Sequence, residues 1–300
     1  MAKLIHTFNR SYGLLMSPDG KLIAQTNSTQ INLFDTTTFE QVAQFKDIPN
    51  AKVIFSSDSK RLLAKAVDRK LGLYDLEKQV LLHKHSIKKN SQSQDYSICF
   101  SDDNKKIIDL VYSDDLFGYI AVWDIETWNE SRFFESKNNV FTMIVGQAET
   151  RNCFVSGFHR TSADYAHTTP FYMWFDVESG KGDYIDTDFA NSEKLMYADK
   201  SNTIFAYSGA GKKDAAITFL TDKRVIQLGD SPIHMVALSP DNKNLAIMFQ
   251  SGATVFTFPD IEPLAAIDTQ EGFGSISFSP DGKKLLVGTW KNGFLYELDL

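Results

Sequence analysis

Apolar and polar residues alternate along this chain in short segments that recur in groups of four. Residues 275–278 form an apolar segment that runs into a turn, and a second apolar segment leaves the turn at 284–288. A third segment ends in an aromatic residue and an acid, as at 295–297, and a fourth follows in most groups, as at 41–45. Alternation with a period of two residues, bounded by turn residues, is typical of half-buried β-strands. The pattern therefore predicts an all-β protein built from four-stranded units.

One turn sequence recurs between the first and second strands of these units. It reads SPDG at 17–20 and 279–282, SPDN at 239–242, SSDS at 56–59 and SDDN at 101–104. The serines are spaced by 39 to 45 residues, apart from one gap between 101 and 239 that has room for two degenerate copies, near Val145 and Tyr197. Pro fixes φ, Asp bonds its own backbone and Gly or Asn tolerates a positive φ, so each copy predicts a tight turn. The chain thus contains seven units.

Seven units of four strands, repeated every 40 to 45 residues, predict a seven-bladed β-propeller. The last unit stops at residue 300 after its third strand, while the strand-like segment 3–8 belongs to no complete unit. Pairing of residues 3–8 with the last blade would cover an otherwise open strand edge. We therefore expect a single domain, residues 1–300, whose antiparallel four-stranded blades form a ring closed by the N-terminal strand.

The turns and the ends of the third strands carry a resemblance to a known family. Third strands end in Phe34-Asp35, Tyr74-Asp75 and Trp123-Asp124, the last of which is a literal Trp-Asp pair. Together with the Ser-Pro-Asp-Gly turns, these pairs make the whole chain resemble the WD-repeat β-propellers and their bacterial propeller relatives, although no Gly-His pair occurs in it. The resemblance implies a rigid platform for partner proteins, in a family that is mostly not catalytic. Fold alone does not decide activity.

Composition and charge narrow the class of partner and the compartment. A chain of 300 residues with 43% apolar residues can bury a large core. Its formal net charge of -7 disfavours nucleic acids and anionic membranes as partners. Two cysteines, Cys99 and Cys153, are too few for a disulfide framework, and no long apolar leader or membrane-spanning run is found. We expect a cytoplasmic monomer.

Three segments contain residue types that carry chemistry, and each also has a plainer explanation. His159, Asp164 and His167 are possible metal ligands, but no tight spacing brings them together. His83 and His85 lie among lysines, whose charges repel a cation. Residues 209–214 contain a Gly-Lys pair without the spacing of a phosphate-binding loop. We therefore expect no metal, no cofactor and no catalytic residue.

A small-molecule hydrolase or lactonase that uses the central channel is the alternative function. Acidic residues from the loops would then gather around the channel. The candidates for that role are Asp114, Asp115, Asp186 and Asp188. No Gly-x-Ser-x-Gly motif accompanies them, so a non-catalytic platform is the favoured function.

Long insertions indicate which sector of the ring binds a protein or peptide. Connections between second and third strands are short in blades one, two, six and seven, whereas we expect loops at 112–119, 159–170 and 209–214 and a long connection at 83–95. Long loops on a rigid scaffold often carry binding residues, although neutral drift also produces them. The expected anchors are Phe117, Tyr119, Arg160, Tyr165 and Phe189. The charges expected to tune the encounter rate are Asp114, Asp115, Lys212 and Lys213.

The four tryptophans fall into two groups by their position in the units. Trp123, Trp174 and Trp290 lie in or beside third strands, which predicts that they pack between blades. Trp128 follows a third strand in a turn, which predicts that it is exposed and open to a minor role in interaction.

Overall fold

The computed structural model shows a ring of antiparallel β-sheets. It describes residues 1–66, 70–86, 91–92, 98–113, 118–145, 153–160, 168–186, 193–198, 201, 203–208, 215–250, 252–269 and 273–300. Within these residues the strands group into seven sheets, one for each predicted unit. The same residues contain no helix of the length and apolarity needed to cross a membrane.

The strands are numbered in chain order. Up to the end of blade two they are β1 (Ala2–Asn9), β2 (Gly13–Met16), β3 (Leu22–Thr26), β4 (Ile31–Asp35), β5 (Gln41–Phe45), β6 (Ala51–Phe55), β7 (Arg61–Ala66), β8 (Lys70–Asp75) and β9 (Val80–Ser86). Blades three and four contain β10 (Ser91–Gln92), β11 (Ile98–Phe100), β12 (Lys106–Ser113), β13 (Gly118–Asp124), β14 (Glu130–Ser136), β15 (Asn139–Val145), β16 (Cys153–Arg160), β17 (Thr168–Phe175) and β18 (Gly182–Ile185). Blades five to seven contain β19 (Glu193–Ala198), β20 (Thr203–Ser208), β21 (Ala215–Phe219), β22 (Val225–Gly229), β23 (Met235–Leu238), β24 (Asn244–Phe249), β25 (Gly252–Thr257), β26 (Pro263–Asp268), β27 (Phe273–Phe278), β28 (Lys284–Thr289) and β29 (Asn292–Leu298).

The predicted seven-bladed propeller and its closure by the N-terminal strand are confirmed. In the last blade the strand order is β1-β29-β28-β27, so β1 is the outer strand. It pairs with β29 from Ala2 opposite Leu298 to Asn9 opposite Asn292. In blade three the innermost position is shared by two short pieces, β10 and β11, which both pair with β12. The ring is therefore continuous around the whole circle of blades.

The five strongest turn sequences adopt one hydrogen-bonded geometry. In the last of them the Ser279 hydroxyl donates to Asp281 Oδ1 at 2.5 Å and accepts from the Lys284 amide at 2.9 Å. Asp281 Oδ1 also accepts from the Lys283 amide at 3.0 Å. The turns at residues 17, 56, 101 and 239 repeat this pattern. The fourth residue has a positive φ in every copy, at Gly20, Ser59, Asn104, Asn242 and Gly282, as the turn chemistry requires.

These turns should make the protein less stable as the pH falls into the acid range. The hydroxyls of Ser239 and Ser279 hydrogen-bond to Asp241 and Asp281 and lower the pKa of both carboxyls. A carboxyl whose pKa is lower in the folded state stabilises it above the unfolded value of about 3.9, and this contribution is lost as the pH falls through the folded pKa. We expect the urea midpoint to fall below about pH 4, and to fall less steeply in the double variant Asp241→Asn with Asp281→Asn. The exposed Glu77→Gln is the control, and equal slopes in all three proteins would contradict the assignment.

The outer strands of four blades share a bulge at one position. In blades one, two, six and seven the register between third and outer strands shifts opposite the aromatic residue that ends the third strand. Each bulge places one apolar side chain in solvent, 36 to 43% exposed; these are Ile5, Val42, Leu82 and Leu264. Pairing at the equivalent position is regular in blades three, four and five. Blades three to five therefore differ from the other four blades in this bulge as well as in their insertions.

The core lies between neighbouring blades. Blades five and six, for example, meet through the mutually tilted rings of Phe205, Phe219 and Phe258, whose centroids lie 5.2 to 6.1 Å apart. The cluster between blades three and four includes both cysteines as buried free thiols, Cys99 and Cys153. Large side chains from facing sheets interdigitate at each such seam. The packed blades thus form one rigid scaffold that holds the segments connecting the strands.

Candidate functional site

The structure describes two of the nine residues nominated as binding residues. Tyr119 lies in β13 and Arg160 lies in β16. The other seven lie outside the described residues: Asp114, Asp115, Phe117, Tyr165, Phe189, Lys212 and Lys213. Their expected part in binding stays a prediction.

Two of the three predicted loops are shorter than expected. Strand β12 continues to Ser113 and β13 starts at Gly118, so the expected loop 112–119 includes strand residues at both ends. In blade four the strands reach Arg160 and resume at Thr168, within the expected loop 159–170. The register of both hairpins is unbroken to these ends, so the ladder continues where turn residues had indicated a loop. The insertions therefore lengthen the paired strands of these two hairpins.

Tyr119 is a buried strand residue at the seam between blades two and three. The Arg132 guanidinium lies 4.5 Å from the centre of its ring and 3.1 Å from Glu130 Oε2. Burial first, and then the charge of Glu130, raise the pKa of Tyr119 to about 12. The phenol is therefore neutral at physiological pH. Because Tyr119 is buried near the start of β13, it stabilises the end of the hairpin formed by β12 and β13.

Arg160 is buried at the end of β16, and the prediction that it lies in a loop outside the blade core is wrong. Only 3% of the residue is exposed. Its Nη2 donates to the Lys137 carbonyl at 3.1 Å, and its backbone amide donates to the Asn138 carbonyl at 2.7 Å. The pairing of Arg160 with Thr168 extends the ladder to this residue. Arg160 therefore holds the connection between blades three and four in place.

A buried ion pair crosses the seam between blades two and three. Lys65 Nζ donates to Asp109 Oδ1 and, at 3.0 Å, to the Leu110 carbonyl. The side chains of Lys65 and Asp109 are 2% and 1% exposed. Burial raises the pKa of Asp109, and the charge of Lys65 only partly offsets this. Asp109 Oδ2 has no hydrogen-bond partner among the described atoms. The negative charge of Asp109 therefore depends on Lys65 for its stabilisation.

Two histidines of blade two pack against tryptophans of blade three along the same seam. His83 lies parallel to Trp128 with ring centroids 4.5 Å apart, and His85 lies 4.5 Å from Trp123. Trp128, predicted to be exposed, is only partly exposed, because its ring stacks on His83 of the preceding blade. His83 and His85 are therefore packing residues of the seam.

The candidate metal ligands do not form a site in the described part of the chain. His159 Nδ1 lies 2.8 Å from Asn139 Oδ1, and its ring packs on Phe171 with centroids 4.6 Å apart. Burial lowers the pKa of His159. Asp164 and His167 lie outside the described residues. No group of three or more His, Cys, Asp and Glu side chains is placed to hold a metal among the residues that are described.

The residues of the enzyme alternative and of the phosphate-loop candidate are mostly outside the described ranges. Asp186 is described and exposed, directly after β18. Asp114, Asp115 and Asp188 are not described, nor are residues 209–214. The described neighbours of residues 209–214 are the strands β20 and β21, as expected for a connection inside blade five.

One exposed aromatic residue was missed by the sequence reasoning. Trp290, expected to pack between blades, is 67% exposed in the connection between β28 and β29. A connection of two residues leaves its side chain no neighbouring segment to fold against. The shortness of the connection was the signal that could have identified it.

Comparison with known proteins adds information on the fold. No family model and no curated protein matches the chain. A solved structure titled hydrazine synthase, from Kuenenia stuttgartiensis, superposes with a TM-score of 0.73 over 97% of this chain and 96% of its own, at 14% identity. In all, 1625 chains of solved structures match, so a likeness of fold does not select a function. The chain is thereby identified by its architecture, as a seven-bladed β-propeller.

Proposed function

We propose that this protein is a non-catalytic platform that binds a protein or peptide through the sector formed by blades three to five. The observation that carries the proposal is that these three blades depart from the other four in two independent ways. They lack the shared outer-strand bulge, and they carry the insertions between second and third strands. Because both features change in the same three adjacent blades, a functional role of this sector is favoured over neutral drift of the loops.

The first support is the reach of the hairpins. In blades three and four, β12, β16 and β17 each have eight residues, against five or six for the corresponding strands of blades one, two and six. Two or three added residues at about 3.3 Å each extend a hairpin by roughly 7 to 10 Å. The added residues extend these hairpins toward the face that carries the connections between blades.

The second support is the rigidity of the base under these hairpins. Lys65 and Asp109 join blade two to blade three, and Tyr119 with Arg132 fixes the third strand of blade three against its outer strand. Arg160 holds the next connection through the Lys137 and Asn138 carbonyls. Binding residues on a fixed base lose less conformational entropy when a partner binds. No described side chain favours the hydrolase alternative.

The test uses Phe117 and Tyr165, two of the aromatic residues nominated from the sequence as binding anchors. We expect the double variant Phe117→Ala with Tyr165→Ala to reduce capture of the partner from lysate by about tenfold or more, since aromatic anchors dominate binding energy. Arg160 is left unchanged because it is buried and its replacement would disturb the blade. Capture is measured by affinity purification followed by quantitative mass spectrometry, and folding by the melting temperature.

The matched control lies on the opposite face. Lys21 and Lys283 are exposed and directly follow the Ser-Pro-Asp-Gly turns, and their double replacement by alanine is expected to leave capture unchanged. Equal capture by the Phe117 and Tyr165 variant and the parent, or loss of capture in the lysine control alone, would overturn the proposed sector.

A further inference from the structure

Exposed aromatic and basic residues lie together where the ring closes. Trp290 is 67% exposed, more than any other large hydrophobic side chain in the described residues except Met1, and Tyr12 is 39% exposed. Trp290 lies between β28 and β29, and Tyr12 lies between β1 and β2. Both connections join strands of the last blade or lead from it to blade one. They are on the face that carries the connections between blades, away from the sector of blades three to five.

The backbone that carries Trp290 is fixed by a buried threonine. Thr289 is fully buried, and its hydroxyl oxygen accepts from the amides of Lys291 at 3.2 Å and Asn292 at 3.0 Å. The same hydroxyl donates to the Asn292 carbonyl at 2.7 Å. The turn is therefore held from inside while the indole projects into solvent.

The backbone that carries Tyr12 is equally constrained. Its amide donates to the Thr26 carbonyl at 2.8 Å. Its carbonyl oxygen lies so close to Gly274 and Gly288 that a Cβ on either glycine would come within 2.2 and 2.6 Å of it. Ser11, which precedes it, donates from its amide to the Lys291 carbonyl at 3.2 Å. The two aromatic residues are thus carried on neighbouring segments whose backbones are fixed and hydrogen-bonded to each other.

The charged side chains in the two segments that carry these aromatic residues, 9–12 and 289–292, are both positive. Arg10 and Lys291 are exposed, and the pairing of Asn9 with Asn292 places Arg10 across from Lys291. Residues 9–12 and 289–292 contain no acid, although the whole chain has a net charge of -7. Arg10 also has a φ of 57°, a backbone conformation that is uncommon for arginine. A local cationic surface on an acidic protein attracts a short acidic segment while the rest of the surface repels a long polyanion.

We propose that Arg10, Tyr12, Trp290 and Lys291, here called the closure patch, bind an acidic, partly apolar peptide segment of a partner protein. Trp, Tyr and Arg are the residues that most often dominate binding energy at interfaces. The indole and phenol rings supply apolar contact at little cost in conformational entropy, because their backbones are already fixed. The two cations supply electrostatic attraction and orient the segment. This surface is separate from the sector proposed above and does not depend on it.

The experiment uses a synthetic peptide in which Asp and Glu alternate with Leu and Phe. Binding is followed by tryptophan fluorescence and by protection from iodide, which reaches an exposed indole such as Trp290 before a buried one such as Trp123. We expect saturable binding that weakens as salt rises. Trp290→Ala is expected to weaken it about tenfold or more, measured for this variant with a labelled peptide. Val225→Ala, which removes a 53% exposed side chain from β22 in blade five, is the matched control and leaves binding unchanged.

Charge reversal separates specific from adventitious binding. The double variant Arg10→Glu with Lys291→Glu should lose the acidic peptide and gain a counterpart in which Lys replaces Asp and Glu. Both side chains are exposed, so the melting temperature should stay close to that of the parent. The proposal is overturned if the acidic peptide does not bind, if Trp290→Ala and Val225→Ala bind it equally, or if single-stranded oligothymidylate binds in its place. The variant Phe117→Ala with Tyr165→Ala should bind the peptide normally, which keeps this result independent of the sector of blades three to five.

Discussion

A chain that lacks residues 1–9 should melt about 10 °C or more below the parent and should self-associate. Strand β1 supplies the whole outer strand of the last blade, pairing with β29 from Ala2 to Asn9. It also buries Phe8, which is 2% exposed in a cluster with Leu14 and Leu286. Loss of a buried Phe side chain alone costs about 3 to 5 kcal/mol, a large share of the roughly 5 to 15 kcal/mol that stabilises a typical domain.

The controls separate loss of the strand from loss of its exposed side chains. Lys3→Ala with Leu4→Ala changes two exposed residues but keeps the backbone pairing, and should melt close to the parent. Phe8→Ala should fall between that control and the deletion. Melting is followed by calorimetry and association by size-exclusion chromatography with light scattering. Closure would not stabilise the ring as described if the deleted chain melted like the parent and stayed monodisperse.

The second large effect is expected at the buried ion pair. Lys65→Met should lower the free energy of unfolding by about 3 to 5 kcal/mol, because Asp109 would then be buried without its partner charge. The double variant Lys65→Met with Asp109→Leu should recover most or all of the loss, since removing both charges also removes their cost of desolvation. Urea unfolding of the parent, both single variants and the double variant forms a cycle that gives the coupling directly.

The pH dependence of the single variant provides a further check. Burial raises the pKa of Asp109 in the folded state, so folding favours the protonated carboxyl, and this penalty grows as the pH rises above the unfolded value. Lys65→Met removes the opposing charge, so its deficit relative to the parent should be smaller near pH 4 than at pH 7. A double variant as unstable as either single variant would show that the packing, not the charge, is responsible.

Local turn chemistry explains why the blades could be predicted from the sequence. The turn at Ser279 and Asp281 is complete within six residues, and all its hydrogen bonds are local. Each copy therefore marks a hairpin whatever surrounds it. The strand alternation on either side then fixes which side chains face the neighbouring blades. Closure by β1 followed from counting strands, since the last blade lacked a fourth.

Contacts between blades were beyond the reach of the same reasoning. Lys65 and Asp109 are 44 positions apart, and each lies on a strand whose pattern specifies a face but not its partner in the next blade. Arg160 looked like a loop residue because the turn-like sequence after it hid the continued ladder. Trp128 is less exposed than expected because it stacks on a residue of the preceding blade, and Trp290 is more exposed than expected because its connection is two residues long. The seam between blades two and three and the closure patch both depend on contacts between residues that are far apart in the sequence.

The bulges at the rim of the ring have a consequence for the protein in a crowded solution. An outer strand presents backbone groups that another molecule could extend into a continuous sheet, and exposed apolar side chains favour that growth. Ile5, Val42, Leu82 and Leu264 are such side chains, yet each is the bulged residue of its strand. A bulge interrupts the ladder and twists the edge, so an incoming strand cannot pair in register past it. The rim thereby carries a barrier to fibril growth at each of these four exposed apolar positions.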